Sequence, residues 1–318
     1  MFEDLKKLQE LYLKGSSQLQ RDYWTDELLE LYSSTLGERI SWKWQHCLED
    51  LKKQNIHPEN LFPSKNFLLE DWACGPGTAS IKYLELCNQI QNYKVKLVDR
   101  SFAACTFAQK KIKTNFSNVE FHGDKQQDTT TESNHLHIQL ISYVLSELSS
   151  NSLSQVVDGL KKTDVFIWVD ASSVKESHQL SRVRDSLLQD FYFLAPCPHQ
   201  KECPVLKTKN DWCHRFAKAP TYVFHDSEWS RISKELKIDL RSLPYHSLYG
   251  VKKSLFNKTL NNPPQFKFPE FNNLRLLGRP RVGKHEAKAD FCTTEGEYKT
   301  QVLTKRNEPE IFKRLKNE

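Results

Sequence analysis

The sequence predicts an α/β fold: a Rossmann-like parallel sheet with an N-terminal helical region, a cysteine-rich insertion and a small C-terminal β unit. Three observations predict it. Apolar strands alternate with amphipathic helices from Asn66 onward, a glycine-rich turn follows the first of those strands, and an acid ends the second.

The elements follow in order. Residues 1–62 read as helices, because Leu5, Leu8, Leu11 and Leu13, then Leu28, Leu29 and Leu31, then Trp42, Trp44, Cys47 and Leu51 recur near helical spacing. Pro58 and Pro63 break that pattern and mark a connector. Residues 63–260 form the expected α/β domain. Its strand candidates are 67–72, 95–99, 119–122, 138–143 and 165–170, with helices over 78–89, 102–113 and 179–189. The polar run 125–134 reads as an exposed loop. Residues 191–194 lead into a cysteine-rich loop over 195–216, and 221–224 and 243–249 are expected to complete the sheet. Pro263-Pro264 marks a linker, and 261–318 reads as a basic C-terminal β unit.

The 318 residues carry a net charge of +6, which allows a polyanionic partner. No apolar run is long enough to span a bilayer. The opening Met1-Phe-Glu-Asp-Leu-Lys-Lys-Leu8 has no apolar signal core, and its early acids argue against a mitochondrial transit peptide. A cytoplasmic, monomeric protein in a bacterial setting is therefore expected, with no membrane partner. In a reducing compartment eight cysteines are not read as disulfides, and Cys47, Cys87 and Cys105 read as small buried hydrophobes.

The glycine turn is Glu70-Asp-Trp-Ala-Cys-Gly-Pro-Gly-Thr-Ala79. Glycines between a strand and a helix let the backbone approach a ligand, and the helix N-terminus favours polar or anionic groups. Asp99 ends the second strand, where an acid can hydrogen-bond ribose hydroxyls. Dehydrogenases use G-x-G-x-x-G, whereas Asp71, Ala73, Gly75 and Gly77, followed by Thr78, follow the D-x-G-x-G-x-G turn of class I methyltransferases with alanine at the first glycine. This spacing points to S-adenosylmethionine. Asp124, ending the third strand, is a candidate to face its adenine, and Ser142 ends the fourth strand where methyltransferases place groups against substrate. Neither an Asn/Asp-Pro-Pro-aromatic signature nor a Pro-Cys nucleophile follows, so cofactor binding is expected but methyl transfer is not, and no catalytic residue is assigned.

Cys197, Cys203 and Cys213 share one proline-framed window, and Cys292 lies far downstream. Four thiols make a complete ligand set for a metal. Structural zinc usually takes tighter cysteine pairs. Pro198 and Pro204 each follow a cysteine, as a proline follows the last cysteine of bacterial ferredoxin runs, and four thiolates suit [4Fe-4S]. His199 and His214 adjoin ligands, so zinc remains the alternative.

Asp71-Trp-Ala-Cys-Gly-Pro-Gly-Thr78, Tyr143-Val-Leu-Ser-Glu-Leu148, Ala195-Pro-Cys-Pro-His199, Cys203-Pro204, Asp211-Trp-Cys-His214, Gly278-Arg-Pro-Arg281 and Cys292-Thr-Thr-Glu-Gly296 together resemble the small-ribosomal-subunit methyltransferase-like family. The resemblance implies a class I methyltransferase fold and a [4Fe-4S] cluster on Cys197, Cys203, Cys213 and Cys292. It also implies action on the assembling small ribosomal subunit through its rRNA. Two positions depart from the family's pattern, Ala73 and Asp170-Ala-Ser-Ser173, and both bear on catalysis more than on fold. Basic residues crowd the stretch from Lys252 to Lys288 among Phe256, Phe266, Phe268 and Phe271, which offer either stacking faces for RNA or core. An active rRNA methyltransferase, a zinc-containing RNA-binding protein and a cluster-based redox or iron sensor of ribosome assembly are the competing readings. Cys292 is expected to staple the basic tail to the body.

Overall fold

A computed structural model describes residues 2–14, 24–63, 65–122, 135–208, 211–259 and 266–316. The chain divides into two compact units, one of Met1–Asp170 with Phe216–Pro244, the other of Ala171–Arg215 with Tyr245–Glu318.

In the first unit the helical spacing of the opening residues becomes α1 (Phe2–Lys14), α2 (Asp26–Ser33), α3 (Leu36–Lys53) and the short α4 (Pro58–Leu61). Thr25 caps α2 by accepting the Leu28 N–H. Helix α3 buries Trp42, Trp44, Cys47, Leu48 and Leu51. Five strands follow: β1 (Asn66–Trp72), β2 (Tyr93–Val98), β3 (Glu120–Phe121), β4 (His135–Ser142) and β5 (Val165–Asp170). They pair in parallel in the order β3-β2-β1-β4-β5. Covered strands of a parallel sheet need apolar residues on both faces. Accordingly β5 is buried throughout, and β1 over five consecutive residues. Crossover helices α5 (Thr78–Glu85), α6 (Phe102–Asn115) and α7 (Ser150–Leu160) fill the gaps, with Ser101 and Ser149 as N-caps of the last two. Helix α9 (Ser227–Leu236) packs against α1, where Lys6 meets Glu235 at 2.9 Å.

The second unit opens with α8 (Val174–Ser186) and β6 (Phe191–Ala195), then the cysteine loop, and the chain leaves it through β7 (Arg215–Ala217). It returns in β8 (Leu243–Lys252), antiparallel to β6, and continues as α10 (Lys253–Thr259). Three antiparallel strands, β9 (Arg275–Val282), β10 (Glu286–Cys292) and β11 (Tyr298–Thr304), form the small sheet expected of the tail. Helix α11 (Pro309–Leu315) closes it, with Phe271, Phe291, Leu303 and Phe312 in the core.

Two expectations need correction, and one choice left open by the sequence is closed. Residues 221–224 form a 3-10 turn, not a strand: Pro220 leads into it, only Val223 is buried, and Tyr222 and Phe224 stay exposed. The helix expected over 179–189 starts earlier, because Ser173 caps α8 by accepting the Glu176 N–H. Phe256, Phe266, Phe268 and Phe271 are buried, so they serve the core and present no stacking face.

Candidate cofactor cavity and thiol centre

In a doubly wound sheet ligands enter outside the carboxyl ends of the strands, where the strand order reverses. Here that point lies between β1 and β4, and a cavity of about 760 Å³ occupies it. Trp72, Ala73, Cys74 and Gly75 line it from the turn after β1, Asp99 from the end of β2, and Ser142 and Tyr143 from the end of β4.

Gly75 has φ +49°, and a Cβ built on it meets nothing within 4 Å, so the backbone faces open space. Its N–H donates to Asp99 Oδ2 at 3.0 Å, and Ser101 N–H donates to Oδ1 at 2.9 Å. Each carboxylate oxygen keeps a second lone pair for a ligand hydroxyl. Gly77 does different work. A Cβ there would stand 3.0 Å from Ala108 Cβ, so this glycine lets α5 and α6 pack closely. Thr78, the first residue of α5, and Ala79 line the cavity beyond it.

Asp71 lies under the turn and does not line the cavity. It is fully buried and accepts Ser80 Oγ–H at 2.8 Å and Ser80 N–H at 3.2 Å through Oδ2. Its Oδ1 has no partner, and burial pushes the carboxyl up to about 7. Glu70, on the other face of β1, behaves oppositely. Burial alone would raise it, but the His137 ring 3.5 Å away and Lys96 at 2.9 Å hold it at about 2.

The turn after β4 is built by Asp170, whose Oδ2 accepts the N–H groups of Val144 and Leu145 at 3.1 and 3.2 Å and Trp168 Nε1–H at 3.0 Å. Trp44 Nε1–H donates to Ser142 Oγ at 2.9 Å, and Lys43 Nζ donates to Tyr143 Oη at 2.6 Å. Burial, with Arg39 nearby, lowers Lys43 to about 7. Ala73 and Tyr143 both hold positive φ, 57° and 55°, so strain is concentrated at the rims of this cavity. Cys74 and Cys105 Sγ lie 4.0 Å apart at its edge. Asp124 lies outside the described residues.

In the second unit three α8 side chains hold the three loop cysteines. Ser177 Oγ–H donates to the Cys213 carbonyl at 2.7 Å, Arg184 Nε–H reaches Cys197 Sγ at 3.2 Å, and Asp185 accepts the Cys203 N–H at 2.9 and 3.0 Å. Cys203, Cys213 and Cys292 share a buried cluster with Val205 and Leu277. His199 Nε2 lies 3.2 Å from Cys292 Sγ. Burial, then the neighbouring Cys213 and Cys197, push Cys203 up to about 11, and burial raises Cys292. Among the described residues no three His, Cys, Asp or Glu side chains stand at metal-holding geometry.

The tail sheet meets the cysteine loop at two glycines. A Cβ on Gly278 (φ +68°) would lie 2.6 Å from the His214 ring, and one on Gly296 3.1 Å from Lys201 Cβ. The Gly-Arg-Pro-Arg and Thr-Thr-Glu-Gly motifs therefore mark close approaches. Sequence reasoning missed Lys43 and Arg184, gave Tyr143 only as part of the motif after the fourth strand, and counted Arg275 in the basic RNA-facing stretch, whereas it is buried. The available signal was a charge on an apolar stripe: Arg184 lies between Leu180 and Leu187 on the buried face of α8.

Strand order, switch-point cavity, and a glycine turn bonded to the acid ending β2 define a class I methyltransferase-like fold. The chain belongs to the family described as mitochondrial small ribosomal subunit Rsm22, which it matches over residues 39–318. That membership agrees with the resemblance read from the motifs. A comparison with curated proteins found no match. Among solved structures, the plantazolicin methyltransferase BpumL in complex with SAH is 11% identical, with TM-score 0.41 over 79% of this chain and 99% of that one. Magnesium protoporphyrin IX methyltransferase from Synechocystis PCC 6803 with bound SAM is 12% identical, with TM-score 0.37 over 66% and 79%. Precorrin-6y C5,15-methyltransferase from Geobacter metallireducens is 11% identical, with TM-score 0.34 over 63% and 88%. No helix among the described residues is long and apolar enough to cross a membrane.

Proposed function

We propose that this protein binds S-adenosylmethionine in the first unit, holds a metal–thiolate centre in the second, and acts on the small ribosomal subunit through its rRNA. The observation that carries the cofactor reading is the open space over Gly75 beside Asp99. A cavity of about 760 Å³ is within the range that encloses a cofactor of this size. In this reading Gly75, with Ala73 beside it, gives the methionine end its close approach, and Asp99 takes the ribose hydroxyls. Asp71 holds the turn from beneath. Asp124 is proposed to face the adenine. Titration of the purified chain with S-adenosylhomocysteine tests this. Micromolar binding that Asp99→Ala abolishes supports it, and no heat or fluorescence change with the wild type sinks it.

The donor chemistry of the second unit supports a metal: Cys203, Cys213 and Cys292 share a buried cluster, and the buried Cys197 lies against the buried guanidiniums of Arg184 and Arg275. Cys197, Cys203, Cys213 and Cys292 would hold it, as [4Fe-4S] by the family resemblance, with zinc the alternative. When bound, the centre would serve chiefly to tie loop and tail together. Iron, sulfide and zinc analysis of protein purified without oxygen distinguishes the two metals.

For RNA, the β9–β10 hairpin supports the reading. Lys288 stands directly opposite Arg281, which pairs with Asp290 at 3.7 Å, and the exposed Arg279, Lys284 and Lys288 add cationic surface that suits a polyanion. A reducing compartment such as the bacterial cytoplasm belongs to the same reading, because thiols persist there as metal ligands and not as disulfides.

Lys43 and Tyr143 favour a second reading, an active rRNA methyltransferase, since a proton acceptor beside Ser142 could assist transfer. Labelled cofactor with purified small subunits separates the readings, and absence of methyl incorporation removes the enzyme.

A further inference from the structure

Two guanidiniums are buried in the second unit, Arg184 at 1% and Arg275 at 2% exposed. Arg184 is well provided. Its Nη1 pairs with Asp185 at 2.6 Å and donates to the Lys201 carbonyl at 2.8 Å, and Nη2 donates to the His199 carbonyl at 3.0 Å. Its Nε–H points at Cys197 Sγ from 3.2 Å.

Arg275 is not provided for. Its Nε and Nη2 have no acceptor, and Nη1 reaches only Cys197 Sγ, at 4.0 Å. No carboxylate pairs with it among the described residues. In the β9–β10 register it stands opposite Cys292. A guanidinium cannot shed its proton, and a buried charge without a partner is among the costliest features a fold can carry. Its neighbours that can carry negative charge are the thiols of Cys213, Cys197 and Cys292, while Arg215 and the His199 and His214 rings also lie near it. Neutral thiols are weak acceptors, whereas four thiolates around a divalent metal ion, or around a [4Fe-4S] centre of charge +2, carry a net charge of −2.

We infer that Arg275, seconded by Arg184 Nε–H, is the buried counter-charge of the metal–thiolate centre, favouring its loaded state and slowing metal release. This rests on the metal reading above and assigns the arginines as positioning residues, not ligands. It differs from a packing role in one respect: the worth of the charge must change sign with metal.

The test uses the full chain purified without oxygen, stripped with a chelator under reducing conditions. One portion is reloaded with zinc, another reconstituted with iron and sulfide. Arg275→Met keeps the bulk and removes the charge. In stripped protein it should melt higher than wild type by about 2–4 °C, because an uncompensated charge is gone. In loaded protein it should melt lower by a similar amount and surrender metal to a chelator several-fold faster. Arg275→Lys keeps the charge without the planar fork, so it should release metal faster than wild type yet leave the stripped protein no more stable. A shift of the same sign in both states, or unchanged metal release in both variants, overturns the inference while leaving the metal reading intact. Wild-type protein that takes up neither zinc nor iron with sulfide overturns both.

Discussion

Asp71 and Glu70 are consecutive on β1, yet their carboxyls are pushed in opposite directions, to about 7 and about 2. The difference is in partners. Glu70 meets Lys96 and His137, while Asp71 has only Ser80 and one orphaned oxygen. For Asp71 the folded-state value lies above its ordinary 3.8, so the group costs stability increasingly as pH rises from about 4 to about 7. Asp71→Asn removes that cost. Relative to wild type it should therefore gain about 2–3 kcal/mol between pH 5 and pH 8, read from urea midpoints. An equal difference at both pH values would show the carboxyl to be ionised throughout. Ala73 carries a related strain, since φ +57° favours glycine. Ala73→Gly trades that strain against a floppier unfolded chain. It should stabilise by at most about 1 kcal/mol. It should also tighten S-adenosylhomocysteine binding, because the Ala73 Cβ projects at the cavity. Weaker binding in the variant would exclude crowding by Ala73.

At the scale of elements, strands were legible where burial on both faces demanded unbroken apolar runs, as in Val165 to Val169 of β5. The glycine turn was legible because chain reversal and close approach require residues without Cβ. Residues 221–224 were not: Tyr222-Val223-Phe224 is β-prone in composition, but strand formation depends on a neighbouring edge, which sequence does not display. The arginines escaped for a similar reason, since a charge on an apolar face becomes informative only when its partners are seen. Gly278 tests how tightly β9 approaches the loop. In Gly278→Ala the new Cβ would meet the His214 ring at 2.6 Å at a positive φ. A loss of about 2–3 kcal/mol is expected, with faster hydrogen exchange confined to β9 and the cysteine loop. Unchanged exchange there would mean that His214 swings aside freely.

At the scale of the whole molecule, the sequence places its chemistry in two separate packages. The switch-point cavity belongs wholly to the first unit, and Cys197, Cys203, Cys213, Cys292 and the exposed basic hairpin belong wholly to the second. Cofactor binding and RNA binding should therefore be separable by mutation. Replacing Arg279, Arg281 and Lys288 together with glutamine removes exposed charge from the hairpin, at the cost of the Arg281–Asp290 ion pair. Each phosphate that is no longer neutralised lowers the slope of log affinity against log salt by roughly 0.7–0.9. The triple variant should thus bind small-subunit rRNA more weakly, with a slope shallower by about 2–3, and keep wild-type affinity for S-adenosylhomocysteine. Cys292→Ser should act differently, exposing the tail to protease without altering the cavity. If the glutamine variant keeps the wild-type salt slope, the hairpin is not the RNA face, and the Asp290 carboxylate, 3.7 Å from Arg281, is the anion that answers this charge.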